Sequence, residues 1–250
     1  MSPAVRKSLR TLAGLLFWLA VWALAARAVG QELLLPSPIQ TARKLLELAR
    51  TPDFWFTVGR TILRVLTGIL AAALLGILLA GLTHESRVLY ALLSPIMTLL
   101  KSTPVASFII LALVWLGRDV VPVFIAGLMV LPVVWANVSA GLEQVDPQLM
   151  ELARVYKLPR GRVFRRIVVP SVLPHLRAAL RSALGLGWKA GIAAEVLTVP
   201  PYSIGKQIFE AKLYLETTAL FAWTAAVVLL SFLIEKTLLL LVDKKEADHA

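Results

Sequence analysis

Six stretches of this chain are each long enough, as a helix, to cross a hydrocarbon layer, and that property removes most of the folds open to 250 residues. They run at 10–29, 60–82, 88–117, 120–141, 172–199 and 217–241; a spanning helix needs about 20 apolar residues. In lipid every backbone N–H and C=O must be satisfied within the protein, so only helices and closed barrels span. These runs are continuous and lack the short alternating pattern of an outer-membrane barrel. Composition points the same way: 58% of residues are hydrophobic and 16% charged, against roughly 25% charged in soluble domains. The fold class is an all-α integral membrane protein with about six transmembrane helices.

A net charge of +11 would suit nucleic acid if a soluble fold presented one basic face. Here the basic residues lie between apolar stretches, so they report topology, and no nucleic-acid partner is expected. There is no cysteine, which excludes disulfide frameworks and thiolate metal sites. His84, His175 and His249 are far apart in sequence, and no metal centre is expected. Placing both termini in the cytoplasm keeps Arg6, Lys7, Arg10, Arg87, Arg177, Arg181, Lys236, Lys244, Lys245 and the basic segment described below on the inner side, close to span ends. The N-terminal charges, the apolar run and Ala26-Arg27-Ala28 resemble a secretion signal. The run Leu9–Ala26 exceeds the roughly 7–15 residues of a signal core, so it reads as a retained first span.

Residues 1–58 comprise this first span and an outer loop. In the loop Pro36-Ser37-Pro38 precedes an amphipathic piece with Ile39, Ala42, Leu46 and Ala49 near helical spacing. It reads as a helix on the outer surface, with docking of an extracytoplasmic partner as the functional alternative. Residues 59–241 form the core transmembrane domain, with a loop at 146–170, and 242–250 a cytoplasmic tail. Lys101-Ser102-Thr103-Pro104 interrupts the 88–117 stretch, which is either one span or an interfacial helix over 88–101 followed by a short or broken span. No internal repeat is visible, which argues against transporter folds built from duplicated halves.

The segment ELARVYKLPRGRVFRRIVVPSVLP, residues 151–174, concentrates Arg154, Lys157, Arg160, Arg162, Arg165 and Arg166. Asp146-Pro147 supplies an N-cap followed by proline at the first helical position. Leu149, Leu152, Ala153 and Tyr156 then form an apolar stripe at i, i+3, i+4 and i+7. The stripe ends at Leu158-Pro159. A second short helix follows, with Val163, Phe164, Ile167 and Val168 on one face and Pro170 closing it. Two readings fit this pair of amphipathic helices: a loop whose arginines bind lipid phosphates, or an element that docks on a soluble protein.

The residues leave both readings open, and a resemblance favours the second. Glu151, Ala153, Ile167 and Pro170 fall in register on the pattern Glu-Ala-Ala, three residues, Gly, nine residues, Ile, one residue, Leu-Pro, with Leu152 and Val169 as conservative departures. That pattern resembles the coupling motif of binding-protein-dependent ABC importer permeases. Leu184-Gly185-Leu186-Gly187-Trp188-Lys189 and Ala193-Ala194-Glu195 are similar to the nitrate/sulfonate/taurine branch. The resemblance implies a MetI-like fold and a coupling site formed by Glu151, Leu152, Ala153, Tyr156, Lys157, Ile167 and Pro170, with Glu151 making the specific polar contact. It implies a homodimer in the bacterial inner membrane, a cytoplasmic ABC ATPase subunit, an extracytoplasmic substrate-binding protein, contacts to membrane lipid, and a small solute such as nitrate, a sulfonate or taurine. Lys157 stands where the family has glycine, so the corner is strained or adopts another turn. Gly205-Lys206-Gln207 lacks the rest of a phosphate-binding loop. No catalytic carboxylate pair or Ser–His–Asp set is present, so an enzyme is not expected and no cofactor is implied. The alternative is an ion-coupled carrier or channel working without an ATPase.

Two further patterns lie in the spans. Gly68, Ala72, Gly76 and Ala80 recur every four residues, as do Ala179, Ala183, Gly187 and Gly191, a spacing that lets helix backbones approach closely in lipid. These two spans are expected to touch each other or a symmetry mate. Lys189 and Glu195 are ionisable residues in an apolar stretch, with Lys189 near mid-membrane and Glu195 near the outer interface. Their spacing of six turns them to different helix faces. They read either as halves of structural pairs, with Lys101 a partner for Glu195, or as lining of the pathway, with Lys189 offering positive potential to an anion.

Overall fold

In the computed structural model the backbone is described for residues 3–247 and the side chains for residues 9–10 and 12–237. The side chains of Arg6, Lys7, Lys244 and Lys245, and all of residues 248–250 of the expected tail, therefore lie outside what is described. The described backbone is helical and contains no strand: α1 (Pro3–Val29), α2 (Pro38–Ala49), α3 (Pro52–Glu85), α4 (Arg87–Ser102), α5 (Val105–Trp115), α6 (Val121–Glu143), α7 (Pro147–Val155), α8 (Arg160–Val163), a π-helical turn (Phe164–Val168), α9 (Val169–Thr198), α10 (Ile204–Leu213) and α11 (Thr217–Ala247).

Helix starts follow local chemistry. Ser37 caps α2 in a capping box with Gln40, and Ser86, Asp146 and Ser203 accept backbone N–H groups of α4, α7 and α10. Four helices, Leu12–Val29, Pro52–Glu85, Val121–Glu143 and Thr217–Thr237, are long and apolar enough to span. A fifth crossing is available if α4 and α5 count as one span, although they are bent by 109° at Thr103-Pro104. The 88–117 stretch is thus a broken one, because proline at 104 disfavours helix in the residue before it. The 172–199 stretch lies in α9, which falls short of the same apolar criterion because it carries Arg177, Arg181, Lys189 and Glu195.

At the centre α6 packs between α3 and α9, burying Val65, Ile69, Val130, Val134, Ala183 and Trp188 in one cluster. Small residues set these distances. A Cβ on Gly68 would overlap the carbonyl oxygen of Val123, and one on Gly76 would lie 3.0 Å from Val134 Cβ. One on Gly187 would lie 2.7 Å from Ile69 Cγ1 and one on Gly191 2.7 Å from Val65 Cγ2, so α9 meets α3 directly at these two glycines. A second cluster joins α2, α3, α10 and α11 through Phe54, Ile204 and Trp223, with Leu45 and Leu48 against it. The Phe54 and Trp223 rings stack at 5.0 Å. Ile39 and Leu46 of α2 face outward instead.

Pro170 does not close the second short helix. The chain passes from α8 through the π turn into α9 without leaving helical dihedrals. The N–H of Val169 reaches back five residues to Phe164 O, and this wider turn accommodates the N–H that Pro170 lacks.

Candidate functional site: a basic two-helix loop and a buried ion pair

The loop between α6 and α9 begins with Asp146, whose carboxylate accepts the N–H of Gln148, and with Pro147 at the first helical position. α7 then ends in a tight reversal: Leu158 N–H donates to Ala153 O (2.9 Å) and Lys157 N–H to Arg154 O (3.0 Å). This is a Schellman cap, and its left-handed residue is Lys157 at φ 47°. The lysine adopts the conformation that glycine would take more easily, so the corner retains the left-handed turn at some backbone strain.

The reversal folds α8 against α7. Ala153 is 4% exposed; with Met150, Leu158, Val163, Phe164 and Val168 it lines a groove of about 490 Å³. The opposite side of α7 points away from the bundle: Leu152, Val155 and Tyr156 are 53%, 72% and 70% exposed. The apolar stripe of the sequence is therefore split, Ala153 inward and Leu149, Leu152 and Tyr156 outward. Glu151 is exposed beside them. Ile167 is half-buried in the π turn, its carbonyl accepting from Ser171 Oγ at 2.8 Å, and Pro170 is exposed in the first turn of α9.

At the far end of the bundle lies a buried polar cluster. Arg64 Nη1 donates to Glu195 Oε1 at 2.7 Å, and Arg64 Nη2 donates to Asp119 Oδ1 at 2.9 Å and to Pro201 O at 3.4 Å. Glu195 Oε2 accepts from Thr61 Oγ1 (2.9 Å) and from Gly205 N–H (3.2 Å), while Thr61 Oγ1 accepts from Ile204 N–H (3.0 Å). Glu195 and Thr61 are 0% exposed. The carboxylate and hydroxyl thus take up the first free N–H groups of α10, and α10 sits so close that a Cβ on Gly205 would overlap Glu195.

This cluster corrects the expected pairing. The partner of Glu195 is Arg64, not Lys101, which is exposed at the end of α4. Being fully enclosed, Glu195 lines no open path within the protomer. Its sequence signal was Arg64 itself, a cation set one turn beyond Arg60 inside the apolar run of α3, which required a counter-charge. Lys189 stands apart: it is exposed while its neighbours Trp188 and Ala190 are buried.

Apolar helices packed around a central α3–α6–α9 core, with a basic two-helix loop projecting from one end, form a helical bundle of the membrane-spanning kind. The model of the family "Binding-protein-dependent transport system inner membrane component" matches residues 72–245, and the chain belongs to that family. It is 27% identical over 242 residues to the taurine transport system permease protein TauC of Escherichia coli, covering 94% of this chain and 86% of that one. It is 29% identical over 215 residues to the nitrate import permease protein NrtB of Synechocystis, covering 82% and 77%. Among solved structures, a bacterial alginate ABC transporter in complex with an alginate-bound periplasmic protein has a chain that superposes with a TM-score of 0.60 at 15% identity, covering 96% of this chain and 94% of that one. An amino acid ABC transporter gives 0.55 at 18% identity, covering 77% and 90%. The chain is thus a transporter subunit of the ABC importer class.

Proposed function

We propose that this chain, as a homodimer, forms the membrane pathway of a bacterial importer for a small polar solute of the kind its relatives are named for, taurine, nitrate, bicarbonate or a sulfonate. A cytoplasmic ABC ATPase docks on α7 and α8, a substrate-binding protein delivers solute at the opposite face, and both termini are cytoplasmic. The observation that carries this reading is the outward apolar surface of α7. Leu152, Val155 and Tyr156 are too exposed to contribute to the bundle, lie in a segment that carries Arg154, Lys157, Arg160 and Arg162, and are followed directly by the cap at Lys157. Such a patch calls for a partner, and the charge around it suits an acidic cleft. Glu151, beside Leu152, supplies the polar contact that fixes register. The permease itself contributes no ATP chemistry; hydrolysis resides on the docked subunit.

The test is co-purification of the permease with its ATPase subunit. Glu151→Lys and Leu152→Glu each abolish ATPase capture and ATP-driven uptake, while the melting temperature of the permease in detergent stays at the wild-type value because both side chains are exposed. Capture and uptake that survive both substitutions refute docking at α7.

A further inference from the structure

Lys189 lies about 14 Å along α9 from its end at Thr198, near the middle of a hydrocarbon core of about 30 Å. Charge at that depth is paired or faces water. Within the protomer no ion pair or hydrogen bond of its side chain is found among the described residues. A second copy of the chain offers no counter-charge either. The six apolar stretches contain only two carboxylates, Glu195 and Glu235. Both oxygens of Glu195 are committed to Arg64, Thr61 and Gly205 behind a fully buried surface. Glu235 lies about 27 Å along α11 from the end where that helix begins, so it is at the wrong depth. The face carrying Lys189 also differs from those built for lipid. α3 turns Leu63, Leu70, Leu74 and Leu78 outward, each more than half exposed, whereas α9 turns out a mixed face in which Leu186 and Leu197, 41% and 52% exposed, alternate with Ala178, Ser182, Lys189 and Ala193.

We infer that Lys189 is an anion station of the translocation path: the α9 face lines a water-filled passage between two copies, and the counter-charge the protein lacks is supplied by the cargo, a small anion. The inference rests on the permease reading and narrows its solute to anions. A neutral or cationic cargo would leave a mid-membrane ammonium group without a partner throughout the transport cycle.

The chain has no cysteine, so Ala193→Cys, one turn from Lys189 on the same exposed face, creates a single reporter. In proteoliposomes containing the permease with its ATPase and binding protein, its modification is followed by intact mass with two reagents of similar size: methanethiosulfonate ethylsulfonate, itself a small sulfonate, and the cationic methanethiosulfonate ethyltrimethylammonium. Both react, and the anion-to-cation rate ratio falls about tenfold when Lys189→Met is added, but stays within about twofold with Lys189→Arg. Leu74→Cys, on a lipid-directed face, reacts with neither. Three results overturn the inference: Ala193→Cys reacts with neither reagent, so the face is dry; Lys189→Met leaves the ratio unchanged; or Lys189→Met lowers the melting temperature of the complex by more than about 5 °C, so the counter-charge is a structural one. ATPase capture on α7 is scored in the same preparations, so a dry or neutral α9 face with capture intact retires Lys189 alone.

Discussion

Removing Arg64 from the buried cluster gives the sharpest test of how the fold is held at its far end. In Arg64→Met the Glu195 carboxylate stays enclosed, keeping two hydrogen bonds, from Thr61 and Gly205, but losing the guanidinium at 2.7 Å. Breaking a buried pair from one side costs about 3–5 kcal/mol, because the remaining charge is uncompensated. The opposite change is milder. In Glu195→Gln the guanidinium keeps Asp119, which is half exposed, and Pro201 O, and an amide oxygen at the Oε2 position still accepts from Thr61 and Gly205, two of the carboxylate's three donors. The loss there is that of a charge-assisted hydrogen bond, about 1.5–3 kcal/mol. If the cluster is a coupled unit, Arg64→Met with Glu195→Gln together costs less than the sum by at least about 1 kcal/mol. Reversible unfolding in mixed micelles, followed by the fluorescence of the native tryptophans, measures all three variants against wild type. An Arg64→Met variant within about 1 kcal/mol of wild type, or strict additivity in the double variant, refutes a buried ionic cluster as the anchor of α10.

Glycine substitutions separate yielding contacts from unyielding ones. Gly68→Ala directs its methyl group at a backbone carbonyl of α6 and is expected to cost more than about 3 kcal/mol, whereas Gly187→Ala meets the side chains of Ile69 and Val130, which can shift, and costs about 1–3 kcal/mol; Gly59→Ala, with open space around it, is the neutral control in the same unfolding assay. Lys157→Gly removes a left-handed strain of about 1–2 kcal/mol, partly offset by glycine's freedom in the unfolded chain, so it raises stability by under about 1 kcal/mol and retains ATPase capture. Lys157→Val, β-branched at φ 47°, is expected to lose capture through misplacement of α8, and full capture by it would show that the corner is not rigid.

The two-helix loop was legible because its signals are local: a cap, a proline and a corner lie within a few residues of one another, and the structure puts each where those rules place it, whereas the stripe is split between two sides and Pro170 does not close its helix. There the local rule that proline ends a helix lost to a π turn, an alternative hydrogen-bond pattern that no residue type announces. The pairing of Glu195 was out of reach for a different reason. Its cation is 131 residues away on α3, and Lys101 was the nearer choice in a reading that could not see which helices adjoin. Of the six expected spans, four are long and apolar enough helices, 88–117 is bent in two, and 172–199 forms one long helix whose charges keep it below the apolarity of the others. Lys189 was visible from the start; only the knowledge that Glu195 is already occupied gives its isolation meaning.

Because helical backbone runs unbroken from Arg160 to Thr198, roughly 55–60 Å along its path, the arginine-rich elbow and the carboxylate that anchors α10 belong to one continuous beam. A tilt imposed at the elbow therefore needs no relay of rearranging side chains to be felt at the opposite membrane face. It arrives there as a swing of Glu195, and with it of everything that carboxylate grips.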